Sequence, residues 1–182
     1  MKQNSAIFWF RQDLRLADNP GLSAAAKWAA EKKGEVIPIY IWAPEEEGMW
    51  RPGGATKVWL HQSLQALAKE IENHGSRLRI FEAKPQNNED KTKQSSLSIL
   101  EAVAEELGAG AVFWNRRYEP AAIARDKEIK STLKANGLTV ETYNGALLLE
   151  PWQVATKEGK PYQVFTPYWR TCLSQLQVEL EP

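Results

Sequence analysis

The chain has 182 residues, 43% hydrophobic and 25% charged, the proportions of a globular protein able to bury about 70% of its unfolded surface. Lys+Arg and Asp+Glu number 23 each, so the formal net charge is zero and the basic excess that grips nucleic-acid phosphates is missing. Cys172 is the only cysteine, which rules out an intrachain disulfide, and there is neither a signal-peptide core nor a bilayer-length apolar run; the expectation is a soluble cytoplasmic domain with no membrane partner.

Ala6–Phe10 (AIFWF) is a continuous apolar run, as in a strand buried on both faces. Asp18, Asn19 and Pro20 supply the cap and first turn of a helix over Gly21–Lys33, stopped by Gly34. Val36–Trp42 (VIPIYIW) is a second buried strand, in which Pro38 points to an edge position or a bulge. A loop rich in Pro, Gly and Glu covers Ala43–Ala55. An amphipathic helix follows over Thr56–His74, with Val58, Leu60, Leu64, Leu67 and Ile71 near helical spacing.

Arg77–Phe81 alternates like a strand, and Lys84–Gln94 is a polar surface loop. Ser95–Leu107 is a third helix, Ala111–Trp114 a fourth strand, Pro120–Asn136 a fourth helix and Leu138–Tyr143 a fifth strand. This alternation predicts right-handed βαβ units: an α/β, doubly wound five-stranded parallel sheet ordered 3-2-1-4-5. After Tyr143 no clear period continues. Gly145–Pro182, with Pro151, Pro161, Pro167 and several aromatics, is expected to be a lid or a connection rather than a second core.

In such a sheet, ligands bind outside the carboxyl ends of the strands where the order reverses, here between strands one and four. The loops leaving those strands are Arg11–Asn19 (RQDLRLADN) and Asn115–Pro120 (NRRYEP), and Glu45–Ala55 (EEEGMWRPGGA) forms a neighbouring wall. Each also has a plain structural reading: Arg11, Asp13 and Arg15 pairing with one another, Asn115 to Glu119 forming an ion-pair net, and Gly53-Gly54 serving as a turn. Most of the eight tryptophans fill core space, with one or two near the crevice available to stack on a flat ligand. There is no P-loop or dinucleotide fingerprint, no GxSxG elbow and no Cys/His cluster with metal-ligand spacing. The carboxylates fall mostly on expected solvent faces, so the residues describe a binding domain rather than a reactor.

At these loops the chain resembles the DNA photolyase/cryptochrome family. The resemblance rests on FWFRQDLRLADNP (Phe8–Pro20), GGATKVWLHQSL (Gly53–Leu64), FWNRRYEP (Phe113–Pro120), NGALLLEPW (Asn144–Trp152) and PYQVFTPYWR (Pro161–Arg170), in family order over nearly the whole chain. It implies a Rossmann-like N-terminal domain, residues 1–144, binding an antenna chromophore, and a start of the interdomain connection over 145–182. The helical C-terminal domain that holds FAD, binds damaged DNA and splits cyclobutane pyrimidine dimers by light-driven electron transfer would be absent, a missing partner without which these residues alone are expected to be inactive. The antenna would be methenyltetrahydrofolate by preference, because WNRRYEP resembles the plant-cryptochrome-like branches, with a deazaflavin or FMN as alternatives. The competing readings are the same domain of a cryptochrome, signalling without repair, and a free-standing nucleotide-binding domain such as an electron-transfer flavoprotein subunit, which would bind AMP or ATP.

The expected pigment pocket lies across the carboxyl ends of strands one and two. Arg11 would offer a planar fork to a pigment carbonyl or carboxylate. Met49 and Trp50 would sandwich an aromatic plane, and Gly53, Gly54 and Ala55 would let backbone N–H groups face the ligand. Lys57 and Leu60 would line the floor. Asn115, Arg117 and Glu119 would sit on the side from which a folate approaches the flavin domain. The alternative is an empty crevice whose loops pack against each other.

Overall fold

A computed structural model describes residues 3–84 and 94–176. The chain divides into two compact units, Met1–Gly145 and Ala146–Pro182. In the first, β1 (Ser5–Phe10), β2 (Val36–Trp42), β3 (Arg79–Glu82), β4 (Ala109–Asn115) and β5 (Thr139–Tyr143) form one sheet in the order β3-β2-β1-β4-β5. Every pairing is parallel. The helices α1 (Pro20–Glu31), α2 (Gly54–Asn73), α3 (Ser96–Glu106) and α4 (Pro120–Ala135) connect the strands, and a 3-10 turn, Pro44–Glu47, follows β2.

The continuous apolar run of β1 is a two-sided pattern. Ile7 and Trp9 point to one face with Ile39, Val112 and Trp114, where Leu100 of α3 and Ile129 and Leu133 of α4 cover them. Ala6, Phe8 and Phe10 point to the other with Tyr40 and Phe113, under Ala25 and Ala29 of α1 and Leu67 and Ile71 of α2. Period-two alternation thus survives, but with both faces buried it leaves no polar positions to reveal it. These apolar faces supply the main driving force for folding.

Pro38 does not mark an edge strand or a bulge. It sits in regular register opposite Phe8, and β3 pairs with β2 only from Ile39 onward. The irregularity in the sheet lies elsewhere, between Ser5 and Ala6 against β4. Asn19 caps α1, its Oδ1 accepting from the Leu22 N–H, with Pro20 at the first helical position. Of the polar loop over Lys84–Gln94, residues 85–93 lie outside the described residues; its ends meet in an antiparallel bridge. Among the described residues no helix is long and apolar enough to cross a membrane.

The second unit departs from the expectation of an aperiodic tail, because it contains a helix, α5 (Phe165–Gln175). Phe165, Tyr168, Trp169 and Cys172 follow helical spacing, and Pro167 concealed it. In the first turn a proline costs no hydrogen bond, since those N–H groups have no partner within the helix. Phe165 stacks on Trp169 with centroids 6.2 Å apart, and the Tyr162 hydroxyl lies 2.9 Å from Thr171 Oγ1.

Candidate functional site

Asn115 ends β4 as a buried hub, 4% exposed. Its Nδ2 donates to Asp13 Oδ2 at 2.6 Å and to Asn19 Oδ1 at 2.8 Å, and its Oδ1 accepts from the Gly21 N–H at 3.1 Å. A Cβ on Gly21 would stand 2.6 Å from Asn115 Oδ1, and one on Gly145 2.6 Å from Asn115 Cγ, so both glycines make room for this side chain. Asp13 also accepts from the Arg11 N–H at 3.0 Å, and Arg15 donates to the carbonyls of Asp18 and Gly145, both at 2.8 Å. Asn115 therefore ties the loop after β1 to the start of α1 and does not line a ligand cavity.

Arg11 is likewise committed within the protein. Its Nη1 donates to both oxygens of Asp126 in α4, at 2.8 and 2.6 Å, while Nη2 donates to the Asn115 carbonyl. The guanidinium lies over the Trp9 ring, 5.0 Å from its centroid. Burial pulls its pKa down, and the charge and hydrogen bonds of Asp126 oppose that. Its two terminal nitrogens are thus taken by α4 and by the end of β4, while Nε has no acceptor among the described residues.

The three consecutive glutamates after β2 take three different partners. Glu45 pairs with Arg51. Glu46 accepts from the Ser96 N–H at 2.7 Å and its Oγ at 2.6 Å, clamping the turn to the start of α3. Glu47 receives both terminal nitrogens of Arg117, at 2.6 and 2.7 Å. Arg117 also donates to Glu119 at 3.0 Å, and Gln12 reaches the same carboxylate at 3.3 Å. Glu46 and Glu47 are therefore not the solvent-face carboxylates that the sequence suggested.

The Arg117 hydrogen bonds hold Glu119 down at about 2, and Glu47 also lies below the ordinary carboxylate range. Burial opposes ionisation of Arg117, but its bonds to Glu47 and Glu119 outweigh that and raise its pKa. Such a paired guanidinium braces the loops without presenting free charge.

Between these braces and α2 opens a cavity of about 1180 Å³ at the carboxyl ends of β1 and β2. Of the residues expected at a pocket, Arg11, Met49, Trp50, Gly53, Leu60, Arg117 and Glu119 line it. Gly54, Ala55, Lys57 and Asn115 do not: the first three are exposed along the first turn of α2, and Asn115 is buried as the hub above. Arg117 and Glu119 share this one space with Met49 and Trp50, whereas the sequence reading kept the two sets apart.

Tyr40, Trp42, Glu47, Trp59 and Arg125 also line the cavity and were not expected there. Trp9, Trp42, Trp50 and Trp59 all face it, where one or two tryptophans were anticipated. Trp42 sits at the end of a run that gave only a strand signal, and Arg125 and Trp59 sit on helices whose packing direction no local pattern discloses. Three buried donors on cavity residues, Trp9 Nε1, Arg11 Nε and Arg125 Nη2, have no acceptor among the described residues. Met49 and Trp50 are 87% and 80% exposed at the mouth, an apolar pair standing in solvent.

The sequence model of the DNA photolyase family matches residues 6–182. The chain is 42% identical over 170 residues to a deoxyribodipyrimidine photo-lyase of Agrobacterium fabrum, covering 93% of this chain and 32% of that protein. It is 40% identical over 167 residues to Cryptochrome-2 of Arabidopsis thaliana, covering 92% and 25%. A solved class III photolyase from Agrobacterium tumefaciens superposes with a TM-score of 0.78 at 41% identity, over 95% of this chain and 32% of the other. The chain thus spans about a quarter to a third of the length of these relatives. By sequence and by fold, the chain belongs to the DNA photolyase family and corresponds to its N-terminal domain.

Proposed function

We propose that this chain is the light-harvesting domain of a photolyase and that the cavity at the ends of β1 and β2 holds a planar antenna pigment. The observation that carries the reading is the cavity itself, about 1180 Å³ and walled by four indoles, with unpartnered N–H donors at its β1 end. A site of mostly apolar lining with a few fixed polar groups suits an aromatic ligand. Bound there, the pigment supplies absorption of light, which it passes on through space.

The protein's tasks are exclusion of water and fixed orientation. Trp42, Trp50 and Trp59 offer flat faces for stacking. Met49 adds a soft, adaptable contact. The Arg117 bonds to Glu47 and Glu119 hold the loops after β2 and β4 in one arrangement, so the walls are set before a ligand arrives.

Methenyltetrahydrofolate is the first choice of pigment, with a deazaflavin or FMN as alternatives. Dimer splitting by electron transfer from reduced FAD is proposed for the helical flavin domain of the longer protein, which would also carry the contact with damaged DNA. The near-equal identity to Cryptochrome-2 supports a second reading, the same domain in a blue-light receptor. The pigment-binding role is common to both.

A titration tests the proposal. Methenyltetrahydrofolate, a deazaflavin and FMN are added separately, and visible absorbance and fluorescence polarisation are followed. Saturable binding that Trp50→Ala and Trp59→Ala weaken is expected. If no pigment binds, the antenna role is refuted; binding indifferent to both substitutions would put the pigment at another place on the domain.

A further inference from the structure

Trp9 Nε1, Arg11 Nε and Arg125 Nη2 are buried N–H donors on side chains that line the cavity, and none has an acceptor among the described residues. They belong to one cluster: the guanidinium groups of Arg11 and Arg125 stand 5.0 and 5.5 Å from the centroid of the Trp9 ring. Indole and guanidinium nitrogens donate and never accept, so the three cannot satisfy one another. A buried donor left open keeps its desolvation cost until an acceptor arrives, and three around one ring are uncommon.

The arginines here are not held alike. Arg11 bonds Asp126 at 2.6 and 2.8 Å, and Arg117 bonds Glu47 at 2.6 and 2.7 Å. Arg125, in α4, has only 13% of its side chain exposed, yet it reaches Asp126 at 3.4 Å, Glu46 at 3.5 Å and Glu47 at 3.6 Å. Such contacts are at or beyond the limit of a hydrogen bond. Each of those carboxylates has closer donors: Arg11 on Asp126, the Ser96 N–H and hydroxyl on Glu46, and Arg117 on Glu47. Arg125 is therefore a cation in the cavity wall whose strong hydrogen bonds are still to be made.

Resting on the pigment-binding reading, we infer that Arg125 is the polar anchor of the cavity and holds a planar ligand by a carbonyl oxygen on its ring edge. Its Nη2 donates to that oxygen, and the Trp9 and Arg11 donors beside it make the corner one that favours an acceptor. Because its present contacts are long, the guanidinium turns toward the ligand without giving up a short bond. An uncharged oxygen suits the corner better than a carboxylate or phosphate. Glu46, Glu47, Glu119 and Asp126 already pair with Arg11, Arg117 and Arg125, and their charges oppose an added anion.

The test uses the full chain, wild type and Arg125→Met, which removes the donor and the charge and keeps an unbranched side chain. Three probes are titrated: methenyltetrahydrofolate, lumiflavin (an uncharged three-ring plane with edge carbonyls) and phenazine (a three-ring plane with none). Arg125→Met should weaken the carbonyl-bearing probes by about 10- to 100-fold, the worth of a hydrogen bond from a charged donor, and leave phenazine within about threefold. It should also move the absorption band of bound lumiflavin or folate, since a positive charge at one edge of a conjugated ring acts unequally on its two electronic states. Arg125→Lys, which restores the charge, should return the band part of the way. Thermal unfolding of ligand-free Arg125→Met should stay close to wild type, because no short hydrogen bond is lost. Should that variant fail to fold, the infrared carbonyl stretch of lumiflavin bound to wild type decides. A stretch below its value in an apolar solvent is expected, and an unshifted one refutes the anchor.

If lumiflavin or the folate binds wild type and Arg125→Met leaves affinity and band unchanged, the inference is overturned while the pigment reading stands. An equal loss for phenazine also overturns it, since the side chain would then only be shaping the wall. If none of the probes binds wild type, the pigment reading fails and this inference fails with it.

Discussion

Replacing Asn115 by Ala should destabilise the α/β unit by about 3 kcal/mol. Two groups lose their partners in a site that is 4% exposed: the Gly21 N–H, one of the first-turn donors of α1, and Asp13 Oδ2. An unsatisfied buried donor costs about 1–3 kcal/mol and a hydrogen bond to a charged group is worth about 1.5–3 kcal/mol. Asn19 keeps the Leu22 N–H and Asp13 keeps the Arg11 N–H, so the network is cut without dissolving. For a chain of this size about 3 kcal/mol lowers the melting temperature by about 6–12 °C. Asn115→Asp sharpens the test, because it preserves shape and the acceptor for Gly21. It also puts a carboxylate oxygen where Nδ2 stood, 2.6 Å from Asp13. Two carboxylates sharing one site raise the introduced group's pKa in the folded state above its unfolded value of about 3.9. The penalty is therefore full at neutral pH and eases as pH falls through the raised folded value toward the unfolded one. Urea unfolding followed by tryptophan emission, at pH 7 and pH 5, reads both effects as midpoint shifts at constant slope. Asn115→Ala within about 1 kcal/mol of wild type, or Asn115→Asp as stable as wild type at pH 7, would refute the assignment of this side chain to holding loop and helix together.

Gly21→Ala should lower stability by about 1–3 kcal/mol despite alanine's better helix propensity, because its Cβ would meet Asn115 Oδ1 at 2.6 Å and Phe8 Cε2 at 2.9 Å. Gly53→Ala, with nothing within 4 Å of the added carbon, should stay within about 0.5 kcal/mol, and thermal melts of the two variants make the comparison. Glu119, held down at about 2 from an ordinary value of 4.5, contributes stability that is present above 4.5 and lost as pH falls through the interval toward about 2. Its exposure keeps that contribution small. Acid unfolding of Glu119→Gln should therefore lack this part of the wild-type pH dependence while behaving alike near neutrality.

Much of the fold was legible because the rules that set it are local. Continuous apolar runs, helix stops at glycine and the Asn19-Pro20 cap act through neighbours in sequence, and right-handed βαβ connection then leaves few arrangements. The strand order and the reversal between β1 and β4 followed from reading that alternation as a doubly wound sheet. The helix α5 was missed for an equally local reason, a proline read as a breaker although it occupies a first turn.

The cavity was legible in place but not in membership. Sequence puts Arg11, Asn115 and Arg117 on the loops that converge at the strand ends, and there its authority stops. Whether a polar side chain faces a ligand or another part of the protein depends on partners far along the chain. Asp126 lies 115 residues from Arg11, and Glu47 lies 70 from Arg117. These pairings exist only after the sheet has brought α4 and the loops after β1 and β2 together, because a buried charge takes whatever counter-charge the fold delivers to it. The amino-acid sequence by itself determined a parallel α/β domain of the photolyase family with its open edge at the strand ends. The tertiary structure alone decided that Arg11 and Asn115 hold the walls while Tyr40, Trp42 and Trp59 face the space between them.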